Sequence, residues 1–402
     1  MKPGWTTVTL GDVARITGHI VDPASLPGDT PYVGLEHIEK GGRLLGMSSV
    51  AAAGVKSTKV RFTQAHVLFG KLRPNLCKVT TANVAGVAST DILPLLPSDR
   101  LDQRYLLQHL RRPSVTAEIA GLTSGANLPR ISPKALATVM IPLPPLGEQR
   151  RIAAVLDHVD TIRAERRASM AALERMPESV YRSMFVENSD PGWTTAQVVD
   201  VVASVKDAMR TGPFGSQLLK EEFTTEGIPV IGIENVVTNS FRWTDRRYIS
   251  REKYETLKRY TVRPGDVLIT IMGTNGRVAV VPESIPTAIS TKHLCCITLD
   301  HDQCLPDYLR ATFLWNPVAR QYLAATAKGA IMAGLNMSII KGLPLSLPPA
   351  ALQREFAATV AQTDSLRAAA ERHLVELDTL FASLQSRAFA GDLDVSKVAL
   401  FS

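Results

Sequence analysis

Polar and apolar positions alternate between two regimes along this chain. From Glu148 onward the apolar residues Ile152, Val155, Val159, Ile162, Met170, Leu173, Met176, Val180 and Met184 recur at spacings of three, four, seven or eight. That is the stripe of an amphipathic helix with heptad character. A second stripe runs through Phe356, Thr359 or Val360, Thr363, Leu366, Ala370, Leu374, Leu377, Leu380 or Phe381, and Leu384. Each stripe predicts a helix of about 40 residues, roughly 60 Å long at about 1.5 Å per residue. Pro177 falls inside the first and is expected to kink or thin it by removing a backbone donor. Elsewhere, short β-branched runs at 60–62, 67–69, 267–271 and 278–281 are punctuated by turns at Gly41-Gly42, Arg263-Pro264-Gly265-Asp266 and Thr274-Asn275-Gly276. Helical patches are expected near Gln103–Leu110 and 306–314, so these parts read as mixed α/β domains.

The two regimes are each written twice. Pro3-Gly4-Trp5-Thr6-Thr7 returns as Pro191-Gly192-Trp193-Thr194-Thr195, and Pro31-Tyr32-Val33-Gly34-Leu35-Glu36-His37-Ile38 as Pro229-Val230-Ile231-Gly232-Ile233-Glu234-Asn235-Val236. Pro144-Pro145 followed by Gln149-Arg150 matches Pro348-Pro349 followed by Gln353-Arg354, and 12 of the 42 positions from Pro144/Pro348 to Phe185/Phe389 are identical. The repeat therefore predicts a domain at 1–145, a helical spacer at 146–187, a second domain at 188–349, a second spacer at 350–392 and a tail at 393–402. With that connectivity each helix finds its partner in the other copy, running antiparallel. A duplicated unit has approximate two-fold symmetry, and a frequent two-fold partner is duplex DNA.

Charge favours a polyanion. Of the formal net charge of +7, residues 1–145 carry 16 Lys+Arg against 9 Asp+Glu, while 188–349 carry 17 against 15. Four cysteines in 402 residues form no disulfide framework, and the N-terminus lacks a signal-like apolar stretch, so a reduced cytoplasmic protein is expected. No run of about 18 apolar residues predicts a membrane span.

Catalytic motifs are missing from the sequence. There is no Asp/Asn-Pro-Pro-Tyr/Phe tetrapeptide, no G-x-G-x-x-G and no G-x-x-x-x-G-K-[ST]. His293, Cys295, Cys296, His301 and Cys304 have metal-ligand side chains, but adjacent Cys295 and Cys296 would face opposite sides of a strand. Asp266 and Lys292 are too far apart in the chain to suggest a nuclease site, and Asp266 is assigned to its turn. Two loops carry binding chemistry. In Gly212-Pro213-Phe214-Gly215-Ser216, with Lys220 nearby, backbone amides could approach a phosphate; the alternative is an ordinary loop with Phe214 plugging the core. In Lys71-Leu72-Arg73-Pro74-Asn75-Leu76-Cys77-Lys78, Arg73 suits guanine, Asn75 suits adenine and Lys71 and Lys78 suit phosphates; the alternative is a solvated turn. Trp5 and Trp193 are expected to anchor cores.

Together these pieces resemble the specificity subunit of type I restriction-modification systems. The resemblance covers nearly the whole chain. It rests on the 212–216 loop with Leu219-Lys220, the strand and loop at 67–78, Gly86-Val87-Ala88-Ser89-Thr90, Arg263-Pro264-Gly265-Asp266-Val267-Leu268 with Gly273-Thr274 and Gly276, the Leu143-Pro144-Pro145 and Glu148-Gln149-Arg150 helix start, and Ser386-Arg387-Ala388-Phe389-Ala390-Gly391-Asp392-Leu393. It implies an α+β fold of two mixed α/β target recognition domains in pseudo-two-fold arrangement, separated by two long antiparallel coiled-coil helices. It implies bacterial defence, with each domain reading half of a split double-stranded DNA target. The implied contacts come from Lys71, Arg73, Asn75, Lys78, Ser89, Thr90, Gly212, Gly215, Ser216, Lys220, Thr274 and Arg277. Chemistry would lie elsewhere: two adenine methyltransferase subunits using S-adenosylmethionine, and ATP- and Mg-dependent restriction subunits, with no cofactor on this chain. The second helix begins Ala350-Ala351-Leu352 where the first begins Leu146-Gly147-Glu148, a difference expected to make two docking surfaces unequal. The competing readings are a self-sufficient DNA methyltransferase or nuclease, and a scaffold that does not bind DNA.

Overall fold

A computed structural model describes residues 2–16, 18–125, 127–243, 247–273, 276–327 and 335–398. Its contacts divide the chain along a different line from the sequence pattern. One unit is Met1–Arg167 with Arg372–Ser402, and the other is Ala168–Glu371. Each long helix, Leu146–Arg182 and Ala350–Ala390, thus contributes one end to each unit.

The units repeat one plan. In the first, Thr6–Thr9 pairs antiparallel with Met140–Leu143, and a four-stranded sheet runs Ala14–Ile16, Ile92–Pro97, Val67–Gly70, Val79–Thr81. In the second, Thr194–Gln197 pairs with Pro344–Leu347, and the sheet runs Met209–Thr211, Leu294–Ile297, Val267–Thr270, Val278–Val280. The central strands read as unbroken apolar runs because both faces are covered. Val67 and Phe69 enter one core and Leu68 another; Val267 and Ile269 separate from Leu268 in the same way. Cys295 and Cys296 likewise bury into different cores, one with Val267 and one with Leu268. Among the described residues, each unit also holds one parallel pair, Pro31–Val33 with Gly86–Ser89 and Ile228–Ile231 with Ile289–Ser290.

Helix pairs cover one face of each sheet: Gln103–Leu110 with Pro113–Gly121, and Pro306–Trp315 with Pro317–Ala327. Asp102 starts the first by accepting the amides of Arg104 and Tyr105 at 3.0 and 3.1 Å. The Pro-Pro…Gln-Arg repeat then acquires a physical role. Gln149 is fully buried; its carbonyl accepts the Asp102 amide at 2.8 Å, and its amide donates to Arg100 O at 2.9 Å and Pro144 O at 2.8 Å. Gln353 repeats this on Leu305 N, Gln303 O and Pro348 O at 2.8, 3.0 and 2.9 Å. Each glutamine therefore ties the first turn of a long helix to the loop before its domain's helix pair.

Within each unit the two long helices are antiparallel. In the first, Arg163 Nη2 meets Asp378 at 2.6 Å and its guanidinium lies 4.3 Å from the Phe381 ring centre, while the earlier Ile152 and Leu156 share a core with the later Ala388 and Phe389. In the second, Thr363 donates to Met176 Sδ at 3.8 Å and Phe356 meets Tyr181 ring to ring at 5.9 Å. The first helix continues through buried Pro177 and ends in a wider π turn, Ser183–Glu187. That turn aims Phe185 beside Tyr181 into a buried aromatic cluster with Tyr308 and Phe356.

One expectation about the helices is corrected. Leu366, placed on the stripe, is 51% exposed, because a strict repeat through Phe356, Val360, Thr363 and Ala370 puts position 367 on the seam and rotates Leu366 off it. At the start of the first helix, the Glu148 carboxylate takes Lys2 Nζ at 2.5 Å and Trp5 Nε1 at 3.1 Å inside its own unit. No helix among the described residues is long and apolar enough to cross a membrane.

Candidate nucleic-acid interface

Parallel strands end together, and the crevice beyond their carboxyl ends is where α/β units bind ligands. The registers Val33 to Ala88 and Ile231 to Ser290 put Ser89, Thr90 and Asp91 of one unit at the places of Thr291, Lys292 and His293 of the other. The loop that follows each first strand is shaped alike. Gly34 N donates to His37 Nδ1 and Gly232 N to Asn235 Oδ1, both at 2.9 Å.

In the second unit this end forms a cleft of about 380 Å³ lined by Gly215, Lys220, Glu234, Arg247, Lys292 and His293 among others. Arg247 and Glu234 pair at 2.5 Å, leaving Lys220 and Lys292 as its excess charge. Burial first, then Lys292 and Arg247, holds the His293 imidazole below its usual range. The 212–216 loop is stiff for two reasons. Gly212 is buried, and a Cβ there would meet Ser290 O at 2.3 Å; its amide already donates to Thr291 O at 3.3 Å. Gly212 therefore seats the loop, correcting the expectation that its amide is free for phosphate. Gly215, at φ +55°, and Ser216 are exposed, and Phe214 is 47% exposed rather than plugging the core. Gln217, which the sequence did not point to, steadies the turn by accepting from Phe214 N at 3.0 Å and Tyr260 Oη at 2.9 Å.

In the first unit the 71–78 run does not present one cationic face. Lys71 reaches Asp91 at 3.9 Å, joined there by Arg130 at 3.3 Å, and Lys78 Nζ donates to Leu35 O at 2.7 Å. These contacts gather Lys71, Lys78, Ser89, Thr90 and Arg130 at the crevice. Asn75 is turned away into a groove with Arg111, Asp160 and Asp378. The cause is local: Arg73 and Cys77, at φ 49° and 51°, flank the tight turn Pro74–Leu76 in the left-handed region. The Arg73 amide donates to Pro129 O at 2.8 Å, while its exposed guanidinium has no ion pair or hydrogen bond among the described residues. Arg277 is exposed just before the strand Val278–Val280; Thr274 and Asn275 lie outside the described residues. Sequence reasoning missed Arg130 and Arg247 and weighed His293 and Lys292 only for metal and nuclease chemistry, although aligning Ser89-Thr90 with Thr291-Lys292 would have placed Lys292 here.

The family model described as "Type I restriction modification DNA specificity domain" matches residues 2–175 and again 192–377. The chain belongs to this DNA-specificity family. The Escherichia coli type I restriction enzyme EcoDI specificity subunit is 27% identical over 51% of this chain and 46% of its own length. The EcoBI subunit, also from Escherichia coli, is 24% identical over 73% of this chain and 66% of itself. The chain thus aligns with less than two thirds of either subunit. In fold it is similar to the S subunit of a type I restriction-modification system from M. genitalium, with 15% identity, 96% of each chain covered and a TM-score of 0.60. It is equally similar to a chain from a structure of type I R-M complex assembly and conformational transition, with 20% identity over 98% and 99% of the two chains and a TM-score of 0.60. Both DNA-specificity matches run past the β-rich domains into the long helices, as the two buried glutamines would require.

Proposed function

We propose that this chain is the non-catalytic DNA-recognition subunit of a type I restriction-modification complex, with each unit reading one half of a split duplex target in the cytoplasm. One observation carries the reading: two equivalent scaffolds, each with its own crevice, present different side chains at the same place, Ser89-Thr90-Asp91 in one and Thr291-Lys292-His293 in the other. A shared scaffold with divergent readers is what two unlike half-sites need. Methyltransferase subunits, two of them and adenine-specific, would dock on the outer helix surface, where Val375 is 66% and Leu380 47% exposed. S-adenosylmethionine, ATP and Mg would be held by those subunits and by the restriction subunits, not by this chain.

Mapping modified adenines in the source genome gives the bipartite target. Against it, Arg73→Ala is expected to cost about 1–3 kcal/mol when the first half-site is intact and almost nothing when it is scrambled. Equal losses in anisotropy titrations with either half scrambled would remove Arg73 from readout. Incubated with labelled S-adenosylmethionine and target DNA, the purified chain is expected to transfer no label without added subunits; transfer would establish the self-sufficient enzyme instead.

A further inference from the structure

The two units also differ at the opposite end of the central strand. Asp266 precedes Val267–Thr270 and is fully buried, where its carboxylate holds the buried Arg210 guanidinium and accepts Thr298 Oγ1 at 2.5 Å. The guanidinium also donates to Thr261 O, through Nε at 3.0 Å. In that unit the corner is closed by its own ion pair.

The first unit has no such pair among its described residues at this place. Val67 and Val267 face Leu95 and Ile297, so His66 stands where Asp266 stands. The register onward from Leu95 and Ile297 puts Arg15 at the position of Ala208, and pairing to Val87 and Ile289 puts Arg61 at the position of Thr261. The corner is consequently an open cleft of about 640 Å³, lined by Arg15, His19, Arg61, Thr63 and His66 over a floor of Ile16, Phe62 and Leu96. No carboxylate lines it, and neither arginine makes an ion pair or hydrogen bond through its guanidinium among the described residues. Thr63 N donates to His66 Nδ1 at 3.0 Å, which fixes the ring proton on Nε2. Burial holds the His66 imidazole below its usual range, which favours the neutral ring.

We propose that this cleft binds a phosphoryl group, the external anion taking the role that Asp266 plays inside the second unit. Two guanidiniums give the fork geometry that phosphate oxygens accept, and the imidazole Nε2–H adds a neutral donor. The apolar floor suits a phosphate carried on a sugar or base rather than a bare ion. Two sources share this chemistry, a free phosphorylated metabolite and the backbone of bound DNA.

The test uses the full chain and its Arg15→Ala/Arg61→Ala variant, both positions exposed and outside the cores. Inorganic phosphate and dAMP are titrated against chloride at matched ionic strength, with binding followed by phosphorus NMR line broadening. The salt dependence of random duplex DNA binding is measured in parallel. Loss of phosphate or dAMP binding in the variant, with an unchanged DNA salt slope, supports the site with a free ligand. A salt slope shallower by about 2 in the variant supports the site with DNA as its source. The proposal is overturned if the slope is unchanged and the wild-type chain either binds neither probe or binds both no better than the variant. Wild-type affinity for duplex DNA separately tests the proposed function, so failure of the two readings can be told apart.

Discussion

Asp266→Leu is expected to destabilise the unit 168–371 by about 3–5 kcal/mol, the range for removing one partner of a buried ion pair. The Arg210 side chain is 2% exposed and Asp266 is fully buried. Losing the carboxylate leaves a guanidinium in a dry corner, together with Thr298 Oγ1 and the Arg263 amide, which Asp266 accepts at 2.5 and 2.7 Å. The cost should come from the stranded charge rather than from lost attraction. The double variant Arg210→Met/Asp266→Leu is therefore expected to recover most of the loss, because two apolar side chains need no compensation. Urea unfolding of the full chain checks this through the midpoint of the transition that reports the second unit. A single variant within about 1 kcal/mol of wild type, or a double variant no better than the single, would show that the pair does not hold the corner. Asp266 and Lys292 also lie at opposite ends of the four-residue strand Val267–Thr270, so the pair forms no nuclease centre.

The duplication was legible because turn chemistry and order survive divergence, and helix direction followed from connectivity alone. The 3.5-residue period located both long helices. It misassigned Leu366 because a charged residue, Arg367, occupies the seam position beside that leucine. The division of each helix between two units was not legible, since an apolar stripe does not say which of its turns face a domain and which face only another helix. The candidate interface was half visible. Runs such as 71–78 and 212–216 declare cations and glycines within a few residues. Lys220, Arg247 and Lys292 come from three separate segments, and only strand register gathers them. Proximity in sequence also misled: Arg73 and Asn75 are two residues apart, yet the left-handed Arg73 backbone sends them to different surfaces.

Gln149→Leu and Gln353→Leu are each expected to cost about 2–4 kcal/mol, and each in its own unit. Leucine nearly matches glutamine in volume, so no cavity term enters and the loss measures hydrogen bonding. At Gln149 it removes the partner of three backbone groups, Pro144 O in a buried bond and Asp102 N and Arg100 O in part-buried ones. At Gln353 it strands Leu305 N, Gln303 O and Pro348 O. A buried backbone group left without a partner costs about 1–3 kcal/mol, and partial relaxation toward water keeps three from adding in full. Tyr105 Oη, which donates to Pro142 O at 2.8 Å, and Tyr308 Oη, which donates to Ser346 O, still clamp the same junctions, so the units should loosen there rather than unfold. Amide hydrogen exchange separates the two sites. In Gln149→Leu the Asp102 amide should lose protection while Leu305 keeps it, and Gln353→Leu should reverse the pattern. Gln149→Glu keeps the acceptor for Asp102 N and loses both donors, so it should retain Asp102 protection at reduced stability. Unchanged protection at Asp102 in Gln149→Leu would mean that the helix start is held by the proline turn and the tyrosine alone, and that the repeated glutamine is not the tie between recognition domain and helix.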